Sequence, residues 1–167
     1  MSQITTLKEL YVDELRDLWS ANDQMARALK KVLPRATNSK LRALLERSPE
    51  DIGRHTRMLQ ALIEGQGAEL SKEHCKGMEG LVAEAVKHTV DEAPQTGAVL
   101  DAAIIAQFQR MTHYGITGFG TVAAFARALR LSADSDKIET AVKDMHRADD
   151  LMSELAEAAV NADAARS

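Results

Sequence analysis

Along most of this chain, apolar positions recur with the 3.6-residue period of an amphipathic helix. The first run passes through Leu7, Tyr11, Leu15, Leu18, Met25, Leu29 and Val32. It opens on Thr6-Leu7-Lys8-Glu9, the Thr-x-x-Glu spacing of a capping box. Pro34 and Asn38-Ser39 mark its end, so the pattern predicts a helix of about 27 residues. A second run starts near Ser39 or Lys40 and takes in Leu41, Leu44, Leu45, Ile52, His55, Leu59, Leu62 and Ile63. Gly65 and Gly67 close it. Pro49 falls inside this run, where it removes one backbone hydrogen bond and costs about 3 kcal/mol. Ser48-Pro49-Glu50-Asp51 also has the form of a fresh helix start, with Ser at the cap, Pro next and acids in the first turn. Two outcomes stay open: a kink within residues 45–49, or a short helix followed by a new one.

Residues 65–97 form a connection with a short helix of its own, its apolar face made by Met78, Leu81, Val82, Ala85 and Val86. Pro94 and Gly97 end it. A third long helix is expected from Val99 to Leu129, with a stripe of Leu100, Ile104, Phe108, Met111, Gly115, Phe119, Val122 and Phe125. Ser132-Ala133-Asp134-Ser135 supplies the next break. A fourth helix follows from Ser135 to Val160, through Ile138, Val142, Met145, Asp149, Met152 and Leu155. The small, polar tail Asn161–Ser167 is expected to fray. Simple up-down bundles use short loops throughout, whereas one long crossover in the middle is the ferritin-like arrangement. The predicted fold is therefore all-α: a ferritin-like four-helix bundle, residues 1–167 in one domain, with a short extra helix in the crossover between helices 2 and 3.

Composition agrees with this. Apolar residues are 45% and charged residues 28% of the 167, while aromatics are only 4%, a profile of helix formers rather than of a sandwich or barrel. The formal net charge of −4 leaves no cationic field to displace phosphate counterions, which argues against nucleic acid as a partner. No cationic amphipathic face or long apolar run points to a membrane, and the chain is expected to be cytoplasmic. A single cysteine, Cys75, excludes a disulfide framework within one chain and reads as an ordinary buried or linker thiol.

A ferritin-like bundle can hold two metals on a Glu from each of two helices and a Glu-x-x-His from each of the others. Residues i and i+3 share a helical face, so both side chains of that motif point inward. No Glu-x-x-His occurs here; the nearest spacings are Asp51-x-x-x-His55 and His146-x-x-Asp149. His55 and Asp149 fall near the apolar stripes, where an unpaired polar group is expensive, so each needs either a hydrogen-bonding neighbour or a metal. His74 and His88 are expected to meet solvent, and His113 to pack or hydrogen-bond. The glycines of Gly115-Ile116-Thr117-Gly118-Phe119-Gly120 lie within a helical pattern and point to close packing by a neighbouring helix or subunit. Met25, Met58, Met111, Met145 and Met152 read as core fillers rather than a soft-metal box. Ser and Thr have no evident His/Asp partners, so no catalytic set assembles.

Cys75-Lys76-Gly77-Met78-Glu79-Gly80-Leu81-Val82-Ala83-Glu84-Ala85 resembles the crossover of the YciE/YciF family of bacterial, stress-associated ferritin-like proteins. Asp101-Ala102-Ala103-Ile104-Ile105-Ala106, His113-Tyr114-Gly115-Ile116 and Gly120-Thr121-Val122 are similar to its third helix, and Ser20-Ala21, Gln24-Met25 and Ala28-Leu29 to its first. The resemblance runs from about residue 6 to 160. It implies inward carboxylates around a metal pair, and here the chain departs. Asn22, Thr112 and Gly115 stand where the family usually has Glu; Pro49 replaces one acid of helix 2, and Met145 falls in the acidic run of helix 4. Asp144 and Asp149 still match acids. A di-iron centre needs about four carboxylates, and these do not assemble.

The resemblance thus implies a structural or stress-response bundle whose di-metal centre is lost or reduced, without enzymatic activity and without a resident cofactor. What survives of the ligands, Glu50, His55 and Asp149, is enough for a single iron, manganese or zinc ion at most. An alternative is a metal-binding oxidase or ferroxidase with an atypical ligand set. A second alternative is a helical module that binds another protein. The glycine-bearing third helix and the long apolar stripes lead us to expect a homodimer.

Overall fold

The computed structural model describes residues 4–94 and 96–167; the single domain expected over 1–167 begins with residues that lie outside the described ones. All regular elements among the described residues are helical. Helix α1 spans Leu7–Val32, α2 Ser39–Gly65, α3 Lys76–Val86, α4 Ala98–Ala128, α5 Ser132–Leu155 and α6 Asn161–Ala164. Thr6 caps α1 as its spacing predicted: its hydroxyl accepts from the Glu9 amide, and the Glu9 carboxylate accepts from the Thr6 amide. After a single 3₁₀ turn at Leu33–Arg35, Asn38 caps α2 by accepting from the amides of Lys40 and Leu41.

Of the two outcomes open at Pro49, the short helix followed by a new one does not occur, since α2 runs unbroken from Ser39 to Gly65 with Pro49 inside it. Ser48, which would have capped a new helix, instead donates its hydroxyl back to the Leu44 carbonyl, 2.9 Å away. The other long helices begin within a few residues of their expected positions. Gly97 turns into α4 at φ +96°, a left-handed conformation suited to glycine. Helix α5 starts at Ser132 rather than Ser135, because Arg130 turns the chain at φ +60° directly after α4. A π turn at Ala156–Val160 leads into α6, which packs on α4, and Val160 is buried.

The order of burial gives the topology. One apolar cluster joins Met25, Leu29, Leu41, Leu45, Met78, Ile104, Phe108 and Met152; another joins Tyr11, Leu15, Leu18, Leu59, Ile63, Phe119, Val122 and Ile138. Each cluster takes one end of every long helix. So α1 runs antiparallel to α2 and to α4, while α2 and α4, joined by the crossover, run parallel. This is the ferritin-like arrangement. Around the ring, α4–α5 and α1–α2 are the tightly packed pairs and α2–α5 is the loosest seam.

The crossover is fixed to α1 by polar contacts that periodicity does not reveal. Ser20 Oγ accepts the Cys75 amide at 3.1 Å, and Gln24 Nε2 donates to the Cys75 carbonyl at 2.9 Å. Lys72 pairs with Asp23 and lies over the Trp19 ring. Cys75 itself caps α3, its sulfur accepting from the Met78 amide at 3.3 Å.

Candidate functional site

Where the two core clusters meet, the bundle interior holds a cavity of about 50 Å³. All four long helices and α3 contribute to its wall. From α1 come Leu18, Ala21, Asn22 and Met25; from α2, Ser48, Asp51, Ile52 and His55. Met78 enters from α3, Phe108, Met111, Thr112 and Gly115 from α4, and Asp144, Met145 and Ala148 from α5. The register follows helical spacing: Ser48, Asp51, Ile52 and His55 share one face of α2, as do Phe108, Met111, Thr112 and Gly115 of α4. Five positions that depart from the resembling family's acids, Asn22, Pro49, Thr112, Gly115 and Met145, thus concentrate here; all but Pro49 line the cavity.

Polar groups at this wall are few. His55 is 7% exposed, and its Nε2 lies 3.3 Å from Asp144 Oδ2 across the α2–α5 seam. Its ring stacks obliquely on Phe119, with centroids 5.9 Å apart. Burial pushes the His55 pKa below its ordinary value, although the Asp144 carboxylate pulls the other way. The imidazole is therefore neutral at neutral pH. Asp144 also accepts from Arg54 Nη2 at 3.0 Å, and Arg54 Nη1 reaches Asp51 at 2.9 Å, so one guanidinium ties the two carboxylates together. Partial burial raises the Asp144 pKa, but the hydrogen bonds from Arg54 and His55 outweigh it and hold the carboxyl below its usual range. Asn22 Nδ2 donates to Thr56 Oγ1 at 3.3 Å. Thr112 Oγ1 is buried with no hydrogen-bond partner.

Of the residues that sequence reasoning put forward as metal ligands, only His55 lines this cavity. Glu50 is exposed, because the face of α2 that carries His55 inward also carries Asp51, one residue further on. Asp149 lies five positions beyond Asp144, about 140° round the helix. There it accepts from Gln109 Nε2 at 3.0 Å and pairs with His113 Nε2 at 2.8 Å, against α4 rather than in the interior. Among the described residues, no group of three or more His, Cys, Asp and Glu side chains is placed to hold one metal ion. Asp144, rather than Asp149, is the inward acid of α5. Sequence spacing missed its pairing with His55 because 89 positions separate the two.

The remaining candidates find ordinary roles. His74 and His88 are exposed, each beside a glutamate. Cys75 is fully buried, and burial pushes its thiol pKa up, away from the thiolate that redox or nucleophilic chemistry needs. Its sulfur lies 3.0 Å from the Tyr114 hydroxyl. A Cβ at Gly115 would meet Met145 Sδ at 3.0 Å, and one at Gly118 would meet Leu18 Cδ2 at 2.5 Å, so both glycines admit neighbours within the chain. Gly120 faces open space.

Known proteins share this architecture. The family model described as a domain of unknown function (DUF892) matches residues 6–165. Protein YciF of Escherichia coli (strain K12) is 34% identical over 125 residues, 74% of each chain. The crystal structure of the E. coli stress protein YciF matches with a TM-score of 0.87 at 28% identity, covering 95% of this chain and 99% of that one. YcfI of Rhodopseudomonas palustris matches with a TM-score of 0.84 at 29% identity, covering 90% and 95% of the two chains.

Proposed function

The chain belongs to the DUF892 family, and from that premise we propose that it is a stress-response helical bundle in which the fold is kept and a di-metal centre is not. The stress role rests on likeness to YciF, which is described as a stress protein. The loss of metal chemistry rests on one observation: the wall of the interior cavity offers Asn22, Thr112, Gly115 and Met145 where bridging carboxylates would be needed. What is left is one neutral imidazole and two carboxylates, Asp51 and Asp144, already tied to Arg54. Two dications demand more negative charge than that, and the other lining residues are uncharged and mostly apolar. The donor set therefore does not fit a metal pair, and no redox or oxygen chemistry is derived from it.

Metal analysis of untagged protein, incubated with iron(II), manganese(II) or zinc and then desalted, tests the reading. Well under one metal per chain is expected. Close to two per chain overturns it and favours an oxidase or ferroxidase with an atypical ligand set. A homodimer remains part of the proposal, but Gly115 and Gly118 are filled from within the chain, so these two glycines do not mark its interface. Light scattering on the eluted protein should give twice the chain mass at micromolar concentration.

A further inference from the structure

A buried hydroxyl without a partner is an anomaly in a core this well packed, and Thr112 Oγ1 is one. Thr112 is 4% exposed and lines the interior cavity of about 50 Å³. A water needs only about 10–15 Å³ of such space, together with two to four polar partners. Partners are at hand on the same wall. Asn22 spends its amide nitrogen on Thr56 and keeps its carbonyl oxygen, and Ser48 donates to Leu44 and keeps its lone pairs. His55 spends Nε2 on Asp144 and keeps Nδ1. A molecule in the cavity that accepts from Thr112 and donates to one of these groups needs both donor and acceptor character.

We propose that the cavity is a binding site for a neutral, water-sized hydroxylic ligand, occupied by an ordered water hydrogen-bonded to Thr112 Oγ1. The charged groups on the wall, Asp51 and Asp144, are already paired with Arg54, and most of the remaining lining is apolar, so an ion finds no free countercharge. The volume lies well below the roughly 150 Å³ cavity that takes up benzene, so ring-sized ligands are excluded too. Exchange with solvent runs through the α2–α5 seam, where a groove of about 220 Å³ shares Ser48, Asp51, Asp144 and Ala148 with the cavity. Arg54, joined to Asp51 and Asp144, lies in the wall of that groove. The proposal rests on the reading that no metal pair fills this volume.

Threonine and valine have nearly the same shape, so Thr112→Val removes the hydroxyl with little repacking, and Thr112→Ser keeps it. Oxygen-17 relaxation dispersion of solvent water counts long-lived internal waters, and thermal melting reports stability. Both are measured on chelator-treated protein whose metal content has been determined. T112V is expected to lose one long-lived water and to melt several degrees lower, while T112S keeps the water. An unchanged water count in T112V overturns the proposal, as does a higher melting temperature, which would mean an unpaired hydroxyl in a dry cavity. Metal retained by the untreated sample near two per chain would instead overturn the reading of function, whatever the water count.

Discussion

His55 Nε2 and Asp144 Oδ2 meet at 3.3 Å across the least tightly packed seam of the bundle, and the pair links interior to surface. His55 is buried while the Asp144 side chain is 41% exposed. The pair has a pH signature. The folded-state pKa of His55 lies below its ordinary value of about 6.5, so in acid the unfolded chain takes up a proton that the folded chain refuses. His55 therefore destabilises the fold as pH drops below about 6.5, and its effect is absent above that range. Asp144, whose pKa is lowered, acts in the same direction further down, its stabilisation being lost as pH falls below about 4. Urea unfolding from pH 8 to 5 should show a decline that His55→Gln flattens. A decline of equal size in H55Q would place its origin elsewhere.

Asp101 is a structural anchor that no motif pointed to. Its carboxylate is 2% exposed and accepts three hydrogen bonds: from the Thr37 amide at 2.7 Å, the Thr37 hydroxyl at 2.6 Å and the Asn38 amide at 2.9 Å. It thereby ties the α1–α2 turn to α4. Asp101→Ala strands those donors and opens a void, which should cost about 2–4 kcal/mol in chemical denaturation. A cost under about 0.5 kcal/mol, the range of an ordinary surface change, would deny Asp101 this role.

The helices were legible because each buries one stripe, and a stripe leaves its period in the sequence. The Thr6–Glu9 box was legible for the same reason: both partners fall within one turn. Asp101 with Thr37, Ser20 with Cys75 and His55 with Asp144 were not, since each pair is separated by more than 50 positions and meets only after the helices pack. For a related reason periodicity could not say which neighbour Asp149 meets. Periodicity put it near a stripe, but a helix packed on two neighbours has more than one buried face, and Asp149 lies on the face toward α4. The neutral residues Asn22 and Thr112 were singled out through resemblance to a family, and folding then brought both to one cavity.

Two glycines should respond oppositely to alanine. A Cβ at Gly77 would lie 2.7 Å from both Cε2 and Oη of Tyr114, so the ring must move as a unit and the Cys75 Sγ–Tyr114 Oη contact breaks. Gly77→Ala is expected to cost about 1–3 kcal/mol. At Gly120, exposed within α4, nothing lies within 4 Å, and alanine removes only the conformational freedom of the unfolded chain. Gly120→Ala should gain about 0.5–1 kcal/mol. Melting curves of the two variants check this directly. A loss at Gly120 would mean that its open face is occupied, as a close subunit contact would require.

Pro49 is the clearest conflict between local preference and observed structure, and it lies beside the site. The ring leaves the Leu45 carbonyl without its helical donor, at a cost of about 3 kcal/mol relative to alanine in a free helix. Yet α2 continues through it, and its neighbours Ser48 and Asp51 line both the cavity and the seam groove. The chain tolerates the proline because α2 meets no dense wall of α5 there, so displacement of the turn is cheap. Pro49→Ala restores the missing bond and should raise stability by about 1–3 kcal/mol. Amide exchange across residues 45–53 should slow in the variant, and the water on Thr112 should exchange more slowly through a stiffer seam. Lower stability in P49A would reverse the argument: the proline would then be a packing element of the bundle rather than a tolerated defect at its loosest edge.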